Sequence, residues 1–403
     1  MMLTDYMDPV GPNHVAGLAA WLAGRNYAPS TVLDYARRAG TFLRWITETS
    51  RRLEDVGASD LVDYGKHLEE IGRWRRRGRS GCNDYTAACQ LVTYLENAGV
   101  VTSHSAISTP AERLLAAFQE WSRTHRGIRD STIRNYSTVV RDLIQTVGSE
   151  PGSYTARDLR AFVLERARRH GPATAEWVVT STRVFLRYLV AVEACPVGFE
   201  HAIPSVAKWR LARLPRYVPT ECIERVVRLT GDTSPIGARD RAVLLLLARL
   251  GLRAADIALL NLHDFDWHRA RLRLAGKGRR EAWLPLSQDV GDAVLHYLRT
   301  GRPAKETSRV FLLSRPPFGP MEPHVVSQIA RRGLRRARVE SPTRGARVFR
   351  HSLATTMLRV GVPLQTIASV LRHRCIDTTL HYTKVDIEML KQVAPPWPEV
   401  SPC

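Results

Sequence analysis

The sequence has no apolar run near the roughly 20 residues that a membrane-crossing helix needs. Its longest, AVLLLLA at 242–248, has seven. The first ten residues, MMLTDYMDPV, carry neither a positive region nor an apolar stretch, so no secretory leader is expected. Cysteine is sparse: residues 82, 89, 195, 222, 375 and 403 form no C-x-x-C pair and no zinc-like spacing. They read as free thiols of a reducing cytosol, which predicts a cytoplasmic, nucleoid-associated protein without a bound metal. Acidic residues are outnumbered, 39 Asp+Glu against 59 Lys+Arg, leaving a formal charge of +20 over 403 residues. An excess of that size calls for a polyanionic partner, and nucleic acid fits better than a lipid surface. The apolar fraction, 44%, is that of a chain with ordinary hydrophobic cores.

What is present begins with a repeat. Residues 17–46, GLAAWLAGRNYAPSTVLDYARRAGTFLRWI, are echoed at 115–147, LAAFQEWSRTHRGIRDSTIRNYSTVVRDLIQTV. Each copy carries Ser-Thr before a tyrosine, Ser30, Thr31 and Tyr35 and then Ser131, Thr132 and Tyr136. The hydroxyls are expected to cap a helix N-terminus. A shorter helix follows in both (ASDLVDYGKHLEE; ARDLRAFVLERARR), then one with Tyr-Leu (CQLVTYLENAG; TRVFLRYLVAV). Three matches in one order predict a duplicated helical module. Breakers set the boundaries: residues 1–105 and 106–203 as helical modules, 204–219 as a basic linker with Pro204, Pro215 and Pro219, and 220–403 as a third domain. In that domain RDRAVLLLLARLGL (239–252) is apolar almost all round, as in a buried helix. ARLRLAGKGRREAWLPLS (270–287) reads as two strands around a turn. The expected fold class is mainly α with a small antiparallel β-sheet.

Several side chains could serve phosphate chemistry. Tyr382 stands in a polar stretch, LRHRCIDTTLHYTKVD, nine residues after His373. As a nucleophile it would need help, because a phenol of pKa ~10 is almost wholly neutral at pH 7. Attack on a phosphodiester also builds charge that arginine forks can hold, and it requires an acid for the leaving oxygen. Arg253 follows a glycine break, with Asp256 one turn on; Lys277 lies on the hairpin tip; Arg350 opens a helix with Phe349, Leu353 and Met357 on one face; His373 ends PLQTIASVLRH. Taken singly, these are a helix-end charge, a solvated lysine, an arginine at a helix start and a helix cap.

Together, in this order, they resemble a known family. Residues 239–394 are similar to the catalytic domain of the tyrosine recombinases, the phage integrase family. GLRAAD resembles its first-arginine box, RLRLAGKGRREAWLPL its lysine hairpin, and FRHSLATTMLRVGVPLQTIASVLRHRCIDTTLHYTKV its Arg-His to Tyr segment. Residues 109–200 resemble the family's core-binding domain, and the extra N-terminal repeat and the closing VAPPWPEV resemble members encoded by transposons and other mobile elements. The resemblance implies a site-specific recombinase or integrase whose helical modules and catalytic domain form a C-shaped clamp on double-stranded DNA. It implies a covalent 3′-phosphotyrosyl intermediate on Tyr382, with neither metal nor ATP, and assembly as a dimer on one site and a tetramer in synapsis. Arg253 and Arg350 would clamp the phosphate, Lys277 protonate the leaving 5′-oxygen, His373 assist, and Asp256, where the family usually has glutamate, orient Arg253. Arg347 stands where a histidine or lysine is usual; arginine cannot exchange protons near neutrality, which makes His351 a candidate substitute. The alternatives are a catalytically inactive sequence-specific DNA-binding protein and a type IB topoisomerase-like enzyme.

Basic clusters supply candidate DNA contacts: Arg75, Arg76 and Arg77 in GRWRRRGRS; Lys208, Arg210 and Arg213 in the linker; Arg331, Arg332, Arg335 and Arg336 in ARRGLRRAR. HDFDWH (263–268) holds two carboxylates and two histidines, but between a helix and a strand it reads as an Asp-rich turn rather than a two-metal site. Ile387, Leu390 and Val393 form an apolar face suited to packing on its own domain; the resemblance implies instead that it docks on a neighbouring protomer.

Overall fold

A computed structural model of the chain describes residues 14–73, 84–101, 109–206, 216–275, 281–343, 345–372 and 379. They fall into two compact units, one built on the first eight helices and one on the elements after residue 216. In the first unit two sets of four helices follow the same order. The first set is α1 (His14–Ala23), α2 (Pro29–Glu48), α3 (Ala58–Glu70) and α4 (Asp84–Asn97); the second is α5 (Pro110–Thr124), α6 (Asp130–Val147), α7 (Ala156–Arg169) and α8 (Pro172–Ala191). A 3-10 turn precedes the third helix in both, Leu53–Asp55 and Pro151–Ser153. The pairings repeat as well: first on second, second on fourth, third on fourth and first on fourth.

Aromatic packing fixes each set. Phe42, Trp45 and Tyr64 meet with ring centroids 4.8–5.8 Å apart, and Phe118 meets Phe185 edge-on at 5.3 Å. The Ser-Thr pairs, however, do not cap their helices. Pro29 takes the first helical position, where its fixed φ fits and its missing N–H costs nothing, so the cap moves back to Ala28. Asp130 likewise opens α6 behind Arg129, its carboxylate favoured by the positive helix end. Ser30, Thr31, Ser131 and Thr132 therefore lie inside the first turns.

The second unit is arranged around one helix. It comprises α9 (Thr220–Arg228), α10 (Pro235–Leu250), α11 (Ala254–Leu259), β1 (Phe265–Asp266), β2 (Arg271–Ala275), β3 (Glu281–Pro285), α12 (Gln288–His296), a π-helical turn at Tyr297–Gly301, α13 (Pro323–Arg336), α14 (Arg347–Arg359) and α15 (Leu364–Val370). Every residue of α10 from Ala242 to Ala248 is buried, and α9, α11, α12, α13 and α14 all pack on it. Ser234 caps its start by accepting from the Gly237 N–H at 3.0 Å. Truncating one of Leu244 to Leu247 would cost about 2–5 kcal/mol by opening a cavity. The sheet is antiparallel in the order β1-β2-β3, with Leu272 opposite both Phe265 and Leu284. The sequence announced β2 and β3; the two-residue β1 is an addition. HDFDWH forms a 3-10 turn running into β1, where Asp264 accepts from the Asn261 N–H at 2.8 Å and pairs with Arg273 at 3.0 Å. Among the described residues no helix is long and apolar enough to cross a membrane, and no three His, Cys, Asp or Glu side chains gather as for a metal ion. Cys89, Cys195 and Cys222 are free thiols.

Two buried tyrosines give the first unit an alkaline limit. Burial pushes the phenols of Tyr64 and Tyr154 up to about 12 from the usual 10.0. The folded state thus favours the neutral phenol, so this stability is complete below pH 10 and is lost as pH rises towards 12. The Tyr64 hydroxyl has no hydrogen-bond partner, whereas that of Tyr154 donates to the Gly148 carbonyl at 2.8 Å. Thermal unfolding followed from pH 8 to 12 should show the melting point falling above 10, and Tyr64→Phe should flatten that fall without loss at neutral pH. A melting point flat through that range would show that neither phenol limits the fold.

Candidate active site

Arg350 lies in the first turn of α14 with 9% of its surface exposed. A guanidinium can be buried only where its protons find acceptors. Two helix ends provide them. The last carbonyls of a helix lack intrahelical partners and carry its negative pole. Nη1 donates to the Gly251 carbonyl, the C-cap of α10, at 2.7 Å, and Nη2 donates to the carbonyl of Leu371, the C-cap of α15. Both acceptors are neutral, so they orient the guanidinium without cancelling its charge.

Arg253 is treated differently. It is the N-cap residue of α11 rather than the closing charge of α10, and its side chain is 46% exposed. Its N–H donates to Asp256 Oδ2 at 3.2 Å, Nη1 lies 4.0 Å from the same oxygen, and Nη2 donates to the Arg372 carbonyl at 3.4 Å. The expected pairing of Asp256 with Arg253 is thus present but long. The tighter partner of Asp256 is Arg372, whose Nη2 donates to Oδ2 and whose side chain is 12% exposed. Burial pushes the Arg372 guanidinium below its ordinary value, Asp256 opposing and the charge of Arg253 adding to the shift. The two arginines therefore rest on adjacent carbonyls, Arg350 on Leu371 and Arg253 on Arg372.

Arg347, the first residue of α14, is exposed one turn before Arg350, and His351 is half-buried beside it. Lys277, His373 and Tyr382 lie outside the described residues, as do Arg75, Arg76, Arg77, Lys208, Arg210, Arg213 and the segment with Ile387, Leu390 and Val393. Thr379, three residues before Tyr382, is fully buried. On α13, Arg331, Arg335 and Arg336 are exposed, whereas Arg332 is engaged. Its Nη2 donates to Asp240 Oδ2 at 3.0 Å, and Oδ1 of that buried carboxylate accepts from Arg239 at 2.7 Å and 3.0 Å. Sequence reasoning missed Arg372 and the Arg239–Asp240–Arg332 cluster. An arginine placed where α15 has to stop was the available sign of the first; nothing in the periodicity marked the second.

Residues 218–389 match the phage integrase family, and residues 114–194 match the family described as phage integrase, N-terminal SAM-like domain. A protein of Sinorhizobium fredii described as a candidate integrase/recombinase (y4rA) is 34% identical over 404 residues, covering 97% of this chain and 96% of its own length. The tyrosine recombinase XerC of Myxococcus xanthus is 28% identical, over 71% of this chain and 97% of its own. Among solved structures, the XerH site-specific recombinase in a post-cleavage complex with its difH substrate shares the fold at a TM-score of 0.55. That match has 16% identity and covers 90% of this chain and 95% of XerH.

The left-handed turn at Gly251 is the part of this geometry most open to test. Its φ is +56°, and an added Cβ would lie 2.9 Å from Leu353 Cδ2 and 3.0 Å from Leu371 Cδ2. Gly251→Ala combines a backbone cost with overpacking, together about 2–5 kcal/mol. Urea unfolding should show that loss, with Gly24→Ala, whose added Cβ would meet nothing closer than 3.5 Å, as the mild comparison. Equal small effects would mean that the turn at Gly251 is not constrained.

Proposed function

Since the chain belongs to the phage integrase family of tyrosine recombinases, which carry out site-specific recombination, we propose that it cuts and rejoins double-stranded DNA through a covalent 3′-phosphotyrosyl intermediate on Tyr382. The observation that carries this reading is the seating of Arg350 and Arg253 on the adjacent carbonyls of Leu371 and Arg372. Two cations from distant parts of the chain, one buried and one exposed, are held at one turn. A phosphate approaching that turn meets an exposed guanidinium first and a fixed one behind it, as developing charge on non-bridging oxygens requires.

The step balances without a further reactant. The Tyr382 oxygen attacks phosphorus, its proton leaves with assistance from His373, the bond to the 5′-oxygen breaks, and Lys277 gives that oxygen a proton. Religation is the reverse attack by a 5′-hydroxyl, and the phosphotyrosyl bond keeps the energy of the broken linkage. Neither metal nor ATP enters the proposed sequence. Arg347 is positioned by the i,i+3 relation on the side of Arg350 and serves as a fixed cation rather than a proton carrier. The acting species is proposed to be a dimer on one site and a tetramer in synapsis. The exposed arginines of α13 are assigned to backbone phosphates.

The test is a nicked suicide duplex made from the flanks of the encoding element, with EDTA present. Wild-type protein should give a covalent protein–DNA product on a denaturing gel, and Tyr382→Phe should give none. Arg350→Ala and Arg253→Ala should slow its formation on the order of 10²–10³-fold. Tight binding without any covalent product would favour the inactive DNA-binding protein; relaxation of supercoils without site preference would favour the topoisomerase-like enzyme. In binding assays, Arg331→Ala, Arg335→Ala or Arg336→Ala should each lower the salt slope by about 1. Arg332→Ala should act chiefly on stability, because it leaves the buried Asp240 with one partner fewer.

A further inference from the structure

Arg372 stands in a conformation that an arginine seldom adopts. It is the residue after the C-cap of α15, its φ is +52°, and its N–H closes the turn on the Ser369 carbonyl at 3.0 Å. Left-handed residues at helix ends are usually glycine, because the Cβ of any other residue crowds the backbone there. Arg338 takes the same place after the C-cap of α13, at φ +49°, with an exposed side chain. The Arg372 side chain is instead held: it is 12% exposed, and Nη2 donates to Asp256, which lies 116 positions earlier in the chain on α11.

The same carboxylate oxygen accepts from the Arg253 N–H at 3.2 Å and lies 4.0 Å from Arg253 Nη1. The turn that Arg372 closes also presents two carbonyls: that of Leu371 to Arg350 and that of Arg372 to Arg253. Arg372 thus touches Arg253 by its own carbonyl and the orienting carboxylate by its side chain, while the carbonyl just before it, that of Leu371, holds Arg350. We propose that Arg372 is a positioning residue for Arg253 and Arg350, acting through Asp256 and through the carbonyls of its own turn rather than by contact with DNA. This deepens the recombinase reading and rests on it. A hydrogen-bonded ion pair that is largely out of water is strong enough for the task, since charged hydrogen bonds are about twice as strong as neutral ones.

The obvious substitution is also the gentle one. Arg372→Gly relaxes the backbone, because glycine adopts this φ freely, and removes only the side chain. Single-turnover cleavage of the suicide duplex at saturating protein should fall on the order of 10- to 100-fold, as for loss of one charged hydrogen bond. The half-saturating DNA concentration should stay within about twofold, because Arg372 contributes no phosphate contact. Arg372→Lys, which keeps the charge, should recover part of the rate. In Asp256→Asn/Arg372→Gly the loss should not exceed that of the slower single variant, as befits two residues acting through one contact.

Cleavage by Arg372→Gly at the wild-type rate, or losses that multiply in the double variant, would overturn the proposal. So would weakened DNA binding at an unchanged saturated rate, which would make Arg372 a DNA contact. Wild-type protein that yields no covalent product would instead overturn the functional reading. In that case melting points of the same four proteins decide the proposal, non-additive shifts supporting the Asp256–Arg372 link and additive ones refuting it.

Discussion

A buried guanidinium is among the most demanding groups a fold can contain, and Arg350 governs the second unit for that reason. Its protons must be met in a place from which water is largely excluded. The chain meets them with the carbonyls of Gly251 and Leu371. Those carbonyls are free because each closes a helix, and they point at one guanidinium because α10 and α15 both end in left-handed turns, at Gly251 and Arg372. The rest of the unit brings these ends together. α10 is apolar on all sides, so α9, α11, α12, α13 and α14 can pack around it. Ala354, Leu358, Ile367 and Leu371 form a smaller apolar cluster that joins α14 to α15. The polar site is a product of these two cores.

The contrast between the two arginines follows from their anchors. Arg350 is held by two neutral acceptors on one guanidinium, which fix its orientation and leave it little freedom. Arg253 is anchored by its own N–H and by one long contact to the Arg372 carbonyl, with nearly half its side chain in solvent. An anion at this turn would meet an exposed cation at the surface and a buried one below, a combination suited first to capture and then to charge stabilisation. Asp256 completes the set without neutralising it, since one carboxylate is shared between Arg253 and Arg372. A comparable arrangement recurs on α10 and α13, where Asp240 lies between Arg239 and Arg332. In both places a single acidic residue organises two cations and leaves a net positive charge.

Much of this was legible in the sequence, and the divisions follow physical lines. The buried helix at 239–252, the hairpin, the order of the repeated helices and the Asp-rich turn all rest on periodicity or turn chemistry within a few residues, which a linear reading captures. Arg253, Asp256 and Arg350 were singled out because residue type and spacing resemble a known pattern. The failures are of another kind. Ser30, Thr31, Ser131 and Thr132 looked like caps because their hydroxyls suit the role, yet Pro29 and Asp130 suit the preceding positions better. Arg372 and Arg332 each form an ion pair with a residue 116 or 92 positions away. No local period encodes such a contact. Arg332 looked like its neighbours on a basic face, and only the packing of α13 on α10 separates it from them.

The duplicated helices also show how far fold and charge can part. The two sets share order, pairings and the 3-10 turn, yet the described residues of the first hold eight Lys and Arg against ten Asp and Glu, and those of the second thirteen against ten. In the first set, moreover, acidic partners take up many of the cations: Asp34 holds Arg37 and Arg38, Asp84 holds Arg38 and Arg73, and Asp60 and Asp63 hold Arg51. A charge of +20 is therefore not spread evenly over a chain built partly from copies. The helices of the first set contribute none of it, while two segments between helices are rich in it: GRWRRRGRS between α3 and α4, and AKWRLARLPR before α9. Association with a polyanion depends on where cations stand, not on their sum. The helices of the first set keep the packing of the second without their excess of positive charge, so a likeness in helical fold does not carry with it a likeness in the charge of the helices.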